Sequence, residues 1–205
     1  MEKYIYINKI SLSGEVCQDI INLFESEERK YDGITHGGLQ KNIKDTKDFV
    51  IRENEAKWYK YYKLLHDELI RNSHMYINKL NENPSFQNVN QNTTSIYKHF
   101  SNLNFYHSGF MAQRYIIKEG RYVYHHDFAI DLANKKNRVI TYLWYLNDVE
   151  EGGETDFPDI NIKVKPETGK LVLFPASWDF PHCGKMPISS NKYIVTGWLY
   201  IDIPK

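Results

Sequence analysis

Within residues 122–130 the tripeptide His125-His126-Asp127 sets an imidazole and a carboxylate two positions apart. Side chains alternate along a strand, so His125 and Asp127 are expected on one face and His126 on the other. A histidine and a carboxylate so placed can fill adjacent coordination positions of one metal ion. A further histidine from elsewhere would complete a set of two imidazoles and one carboxylate, which suits ferrous iron and leaves three positions open. The spacing also recurs by chance, and the plain alternative is a surface pair or a hydrogen-bonded core histidine.

The sequence downstream supplies context. Residues 138–158 read RVITYLWYLNDVEEGGETDFP, followed by KVKPETGKLVLFPASW and PHCGKMPISSNKYIVTGWLY. With EGRYVYHHDF, these ordered blocks over residues 110–200 resemble the prolyl 4-hydroxylase branch of the 2-oxoglutarate and iron(II) dioxygenases. The resemblance implies His125, Asp127 and His182 as iron ligands, the last within His182-Cys183-Gly184, where Cys183 is a small buried neighbour. It places Lys192 on the distal carboxylate of 2-oxoglutarate, since a buried dianion requires a fixed cation. Thr196, four residues on, shares its face. Tyr115 and Tyr145 would offer hydroxyls to the co-substrate, with core packing the alternative for Tyr145. Arg138 and Trp198 would line the substrate entrance, their alternatives being a surface ion pair and a core tryptophan.

The fold implied is a double-stranded β-helix, or jelly roll: mainly β, with helices packed on its outside. The activity implied is hydroxylation of a C–H bond, in which dioxygen is consumed and 2-oxoglutarate becomes succinate and carbon dioxide, often with support from ascorbate. Peptidyl proline is the leading substrate. A free small molecule, or a silent binding module on the same barrel, remains open because fold does not fix function. A zinc hydrolase would leave Lys192 unexplained. An oxidative nucleic-acid demethylase would usually carry arginine at that anchor.

The elements that must position these residues follow from hydrophobic periodicity. Residues 4–10 alternate as a strand, and Val16, Ile20, Leu23 and Phe24 recur at helical spacing. Residues 31–47 are expected as a Gly-broken loop, 48–80 as a long helix carrying Trp58, Tyr61, Leu65, Leu69 and Ile77, and 81–104 as a polar connection. Strand-like runs follow at 110–117, 122–130, 138–146, 163–165, 170–174 and 192–203. One domain over 1–205 is expected, with 1–104 as support and lid and 105–205 as the catalytic core. Gly152 to Thr155 reads as a turn rather than a phosphate loop, and Glu150, Glu151 and Glu154 as a solvated rim. His36, His66, His74, His99 and His107 fit no metal spacing.

Composition narrows the partners. Twenty-six basic residues balance twenty-six acidic ones, which argues against nucleic acid and anionic membranes as partners. Two cysteines, Cys17 and Cys183, suggest neither a disulfide framework nor a structural zinc site. Without an evident signal or spanning segment the expectation is a soluble, cytoplasmic protein, so the acceptor-like Asn92-Thr93-Thr94 carries no weight.

Overall fold

In the computed structural model, which describes residues 2–82 and 105–202, local signals start both helices. The Ser13 hydroxyl accepts the Val16 amide at 3.3 Å and caps α1, Gly14–Ser26, whose Cys17, Ile20 and Phe24 are buried. In α2, Ala56–Asn81, Trp58, Leu65, Leu69, Tyr76 and Leu80 form the buried stripe. Residues 48–80, expected as one helix, divide instead. Strand β4, Lys47–Ile51, comes first, and the helix begins only at Ala56. Phe49 and Ile51 alternate with period two and are buried, and Phe49 stacks on Trp58 at 5.3 Å, so strand and helix share one core.

Before and between the helices lie β1 (Tyr6–Asn8), β2 (Tyr31–Asp32) and β3 (Lys44–Asp45). After them come β5 (Tyr106–His107), β6 (Phe110–Tyr115), β7 (Arg121–His125), β8 (Ile130–Asp131), β9 (Lys136–Tyr145), β10 (Thr155–Phe157), β11 (Ile162–Val164), β12 (Leu171–Pro175), β13 (His182–Gly184) and β14 (Lys192–Asp202). The expected strand over 122–130 stops at His125 and resumes only at β8. Strands β10 and β13 were not expected at all. The polar connection proposed for 81–104 begins as the end of α2, and residues 83–104, with Asn92 and His99, lie outside the described residues.

All strand pairs are antiparallel, in two sheets. The larger runs β1-β12-β9-β14-β6-β4-β2, with β5 on β14 and β8 on β9. The smaller runs β11-β10-β13-β7-β3. The arrangement is mostly β with two helices and is consistent with a jelly-roll-like fold. The larger sheet sends Phe110, Tyr142, Trp144 and Val195 into one core with Trp58, Leu65 and Leu69 of α2 and Ile20 and Phe24 of α1. Its other face sends Tyr115, Leu143, Tyr145, Phe174 and Ile194 into a second core with Phe157 and Val164 of the smaller sheet. No helix among the described residues is long and apolar enough to cross a membrane.

Candidate functional site

Between the sheets lies a cavity of about 810 Å³. Strand alternation dictates what enters it: Met111, Gln113 and Tyr115 from β6, Thr141, Leu143 and Tyr145 from β9, and Lys192, Ile194, Thr196 and Trp198 from β14. The smaller sheet supplies the opposite wall. There β7 and β13 pair with His125 directly opposite His182.

The ligand atoms of His125, Asp127 and His182 lie within 4.8 Å of one another. Asp127 Oδ1 is 3.8 Å from His125 Nε2, and Oδ2 is 3.6 Å from His182 Nε2. His125 Nδ1 donates to the Val123 carbonyl at 2.8 Å and His182 Nδ1 to that of Phe180 at 3.2 Å. Both Nε2 lone pairs are thereby turned toward the carboxylate, the tautomer a metal ligand needs. Tyr122 stacks on His125 at 3.5 Å, and Phe174 meets His182 edge-on at 4.8 Å. Burial and the neighbouring His182 push the His125 imidazole down to about 4, so it is neutral near pH 7. Burial pushes the Asp127 carboxyl up. The two imidazoles and the Thr141 hydroxyl, which donates at 2.7 Å, more than offset this and leave it low. The ligand atoms of two imidazoles and one carboxylate thus converge as a divalent cation requires.

Lys192 is 2 % exposed. Its ammonium donates to the carbonyls of Gly153 at 2.9 Å and Lys185 at 3.3 Å, and sits 3.9 Å above the Tyr115 ring. Among the described residues no carboxylate forms an ion pair with it, and burial pulls it down to about 7. Such a buried cation suits an anionic ligand in the cavity. Gly153, at a φ of 76°, adopts the left-handed conformation that turns its carbonyl to this contact.

The other expected residues all line the cavity, with different capacities. Thr196 donates its hydroxyl to the Tyr142 carbonyl at 2.8 Å and keeps lone pairs free. The Tyr115 hydroxyl lies 3.3 Å from Gln113 Oε1. The Tyr145 hydroxyl is 2.6 Å from Thr155 Oγ1, 3.1 Å from the Val164 carbonyl and 3.3 Å from the Thr155 amide, which accounts for its one proton and both lone pairs. Tyr145 therefore serves as a fixed wall in this geometry. Arg138 places its guanidinium 3.8 Å over the Trp198 ring and donates Nε to the Tyr200 hydroxyl at 3.0 Å. The Trp198 Nε1 faces Asp127 and is buried with no partner at hydrogen-bond distance among the described residues.

Sequence reasoning missed several wall residues. Because β7 ends at His125, exposed His126 also lines the cavity instead of turning away. Ile34, Thr35 and His36 reach it from the loop after β2, and Lys44 from β3. No pattern signals these, since they depend on where the N-terminal strands dock. His66 and His107 form a pair of their own, Nδ1 to Nε2 at 3.0 Å, away from the cavity.

Known proteins match this picture. Residues 110–200 match the family model described as 2OG-Fe(II) oxygenase superfamily. Probable prolyl 4-hydroxylase 3 of Arabidopsis thaliana is 34% identical over 110 residues, 40% of this chain and 38% of that protein, so the chain spans well under half of that relative's length. In structure, the viral collagen prolyl hydroxylase of Paramecium Bursaria Chlorella virus-1 in its 2OG complex aligns at a TM-score of 0.65 and 20% identity, covering 97% of this chain and 96% of that one. A Trichoplax adhaerens prolyl hydroxylase, bound to a peptide fragment of the hypoxia inducible factor oxygen degradation domain, aligns at 0.68 and 19%, covering 98% and 84%. These two likenesses concern the fold. The segment 110–200 that matches the 2OG-Fe(II) oxygenase model holds the converged His125, Asp127 and His182 and the buried Lys192, and over this segment the chain is similar to prolyl 4-hydroxylases.

Proposed function

We propose that this protein is a 2-oxoglutarate- and Fe(II)-dependent oxygenase on a double-stranded β-helix, hydroxylating a peptidyl proline. One observation carries the reading: the ligand atoms of His125, Asp127 and His182 converge in a cavity shared with a buried lysine that has no carboxylate ion-pair partner among the described residues. When bound, iron and 2-oxoglutarate supply the oxidative chemistry that consumes dioxygen, releases succinate and carbon dioxide, and places a hydroxyl on the substrate carbon.

The chain's own residues set the conditions. His125, Asp127 and His182 would hold the metal at the cavity wall. Lys192 would fix the distal carboxylate above the Tyr115 ring, with Thr196 on the same face of β14 further along the cavity. Leu143, Phe174 and Ile194 keep water from the centre of the cavity. Arg138 and Trp198 stand in a preformed stack and offer a flat face and a cation to the substrate chain. The peptide complex of the Trichoplax protein, on the same fold, supports a peptide as the substrate class.

The test is anaerobic titration of the metal-free protein with Fe(II) and then 2-oxoglutarate, followed in the visible, and then admission of dioxygen with a proline-rich peptide panel and a succinate assay. Peptide-stimulated succinate is expected. Succinate formed equally without peptide would redirect the search to a small molecule, and no visible band would overturn the metal assignment. His125→Ala and Asp127→Ala should each abolish turnover while the far-ultraviolet circular dichroism stays that of the parent.

A further inference from the structure

Asp48, on β4 and outside the matched segment, is fully buried. Its Oδ2 accepts Lys44 Nζ at 2.6 Å and Gln113 Nε2 at 3.2 Å, and its Oδ1 accepts the Thr46 hydroxyl at 2.7 Å. Burial pushes the Asp48 carboxyl up, while the Lys44 ammonium 2.6 Å away opposes this and favours the ionised form, and an ionised carboxylate can only accept. Beside the ionised carboxylate the Gln113 amide turns Nε2 to Asp48 and to Met111 Sδ, at 3.2 Å each, and Oε1 the other way. There it receives the Tyr115 hydroxyl at 3.3 Å, and the Tyr115 ring lies beneath the Lys192 ammonium.

Resting on the reading of Lys192 as the 2-oxoglutarate anchor, we infer that Asp48 and Gln113 are positioning residues of the co-substrate pocket: the buried carboxylate fixes the amide, the amide pins the Tyr115 ring, and the ring supports Lys192. The N-terminal strands thus take part in the site. Lys44 belongs to the same arrangement, lining the cavity with its ammonium 5.6 Å from the Tyr122 ring, which in turn stacks on His125.

Gln113→Met tests the inference, because it cuts the link and leaves Asp48 with Lys44 and Thr46. Full-length protein is loaded anaerobically with Fe(II), and half-saturation by 2-oxoglutarate is read from the visible band. Tyr115→Phe and the double variant are measured alongside. Gln113→Met should weaken 2-oxoglutarate binding by about threefold or more and leave half-saturation by Fe(II) unchanged, and the double variant should bind no more weakly than Tyr115→Phe alone. An unchanged 2-oxoglutarate dependence in Gln113→Met, or full additivity in the double variant, overturns it. A thermally weakened Gln113→Met with parental 2-oxoglutarate binding also overturns it, since Gln113 would then be merely structural. A parent protein that shows an iron-dependent band unaffected by 2-oxoglutarate overturns instead the anchor reading on which it rests.

Discussion

At the scale of single residues, Lys192 is the group whose charge state is most open to change. Burial holds it at about 7, against 10.5 for a free lysine. A bound carboxylate favours the charged form and raises it again. Near pH 8 the empty site is therefore mostly neutral at Lys192 and the occupied site mostly charged, so binding draws in close to one proton; near pH 6 it draws in almost none. Calorimetry of 2-oxoglutarate binding in buffers of different ionisation enthalpy should show this uptake, and Lys192→Arg should bind without it. Equal heats in all buffers near pH 8 would remove Lys192 as the anchor. The gathering of His125, Asp127, His182 and Lys192 in one cavity was legible in the sequence because short motifs in a fixed order mark them. Gln113 and Asp48 were not, because their meaning lies in a contact between residues 65 apart.

At the scale of elements, β5 is joined to α2 by a histidine pair. The Gly109 amide donates to His107 Nδ1 at 3.1 Å, so His107 Nε2 carries the proton and donates to His66 Nδ1. Burial, with His66 nearby, pulls His107 from 6.5 down to about 4. The unfolded chain takes up its proton first as pH falls, so the stability contributed is complete above about 6.5 and lost between there and about 4. Allowing for partial exposure, the loss is about 1–2 kcal/mol. Urea midpoints across that range should fall less steeply for His107→Asn, which keeps an acceptor for Gly109 but cannot titrate. The turn before β12 is less forgiving. Gly169, at a φ of 78°, would place a Cβ 2.0 Å from the Leu12 carbonyl oxygen, and its own carbonyl accepts the Ser11 and Leu12 amides. Gly169→Ala should cost about 2–4 kcal/mol in a chemical denaturation series. Strands of five residues or more after residue 105 were legible from β-branched and aromatic runs. The three-residue strands β10 and β13 were not, since Thr-Asp-Phe and His-Cys-Gly form strands only by pairing with each other and with their neighbours β7 and β11. The stretch 48–51 was misread because its apolar residues run on into the helical pattern that follows.

At the scale of the whole molecule, the site is shared between the sheets: His125 and His182 sit on the smaller, Lys192 on the larger, and Asp127 reaches across to Thr141. Ligands that bind there hold the sheets together and stabilise only the folded state. Fe(II) and 2-oxoglutarate at about 100 times their dissociation constants should each add about 2.7 kcal/mol, seen anaerobically as a rise in Tm that a chelator reverses. His125→Ala should show no rise with Fe(II). If the parent Tm is also indifferent to both, the sheets are not bridged by ligand. Strand β14 gives this shared site its depth. It presents Lys192, Ile194, Thr196 and Trp198 to the cavity at every second position, so about 20 Å of extended backbone separates Lys192 from Trp198. The strand works as a graduated rod. Exchanging the side chain at the Trp198 mark changes the cavity wall there and leaves the Lys192 mark where it is. Inserting a single residue between them would turn one end of the rod to face the helices, so the cavity wall can change here by substitution but not by a change in length.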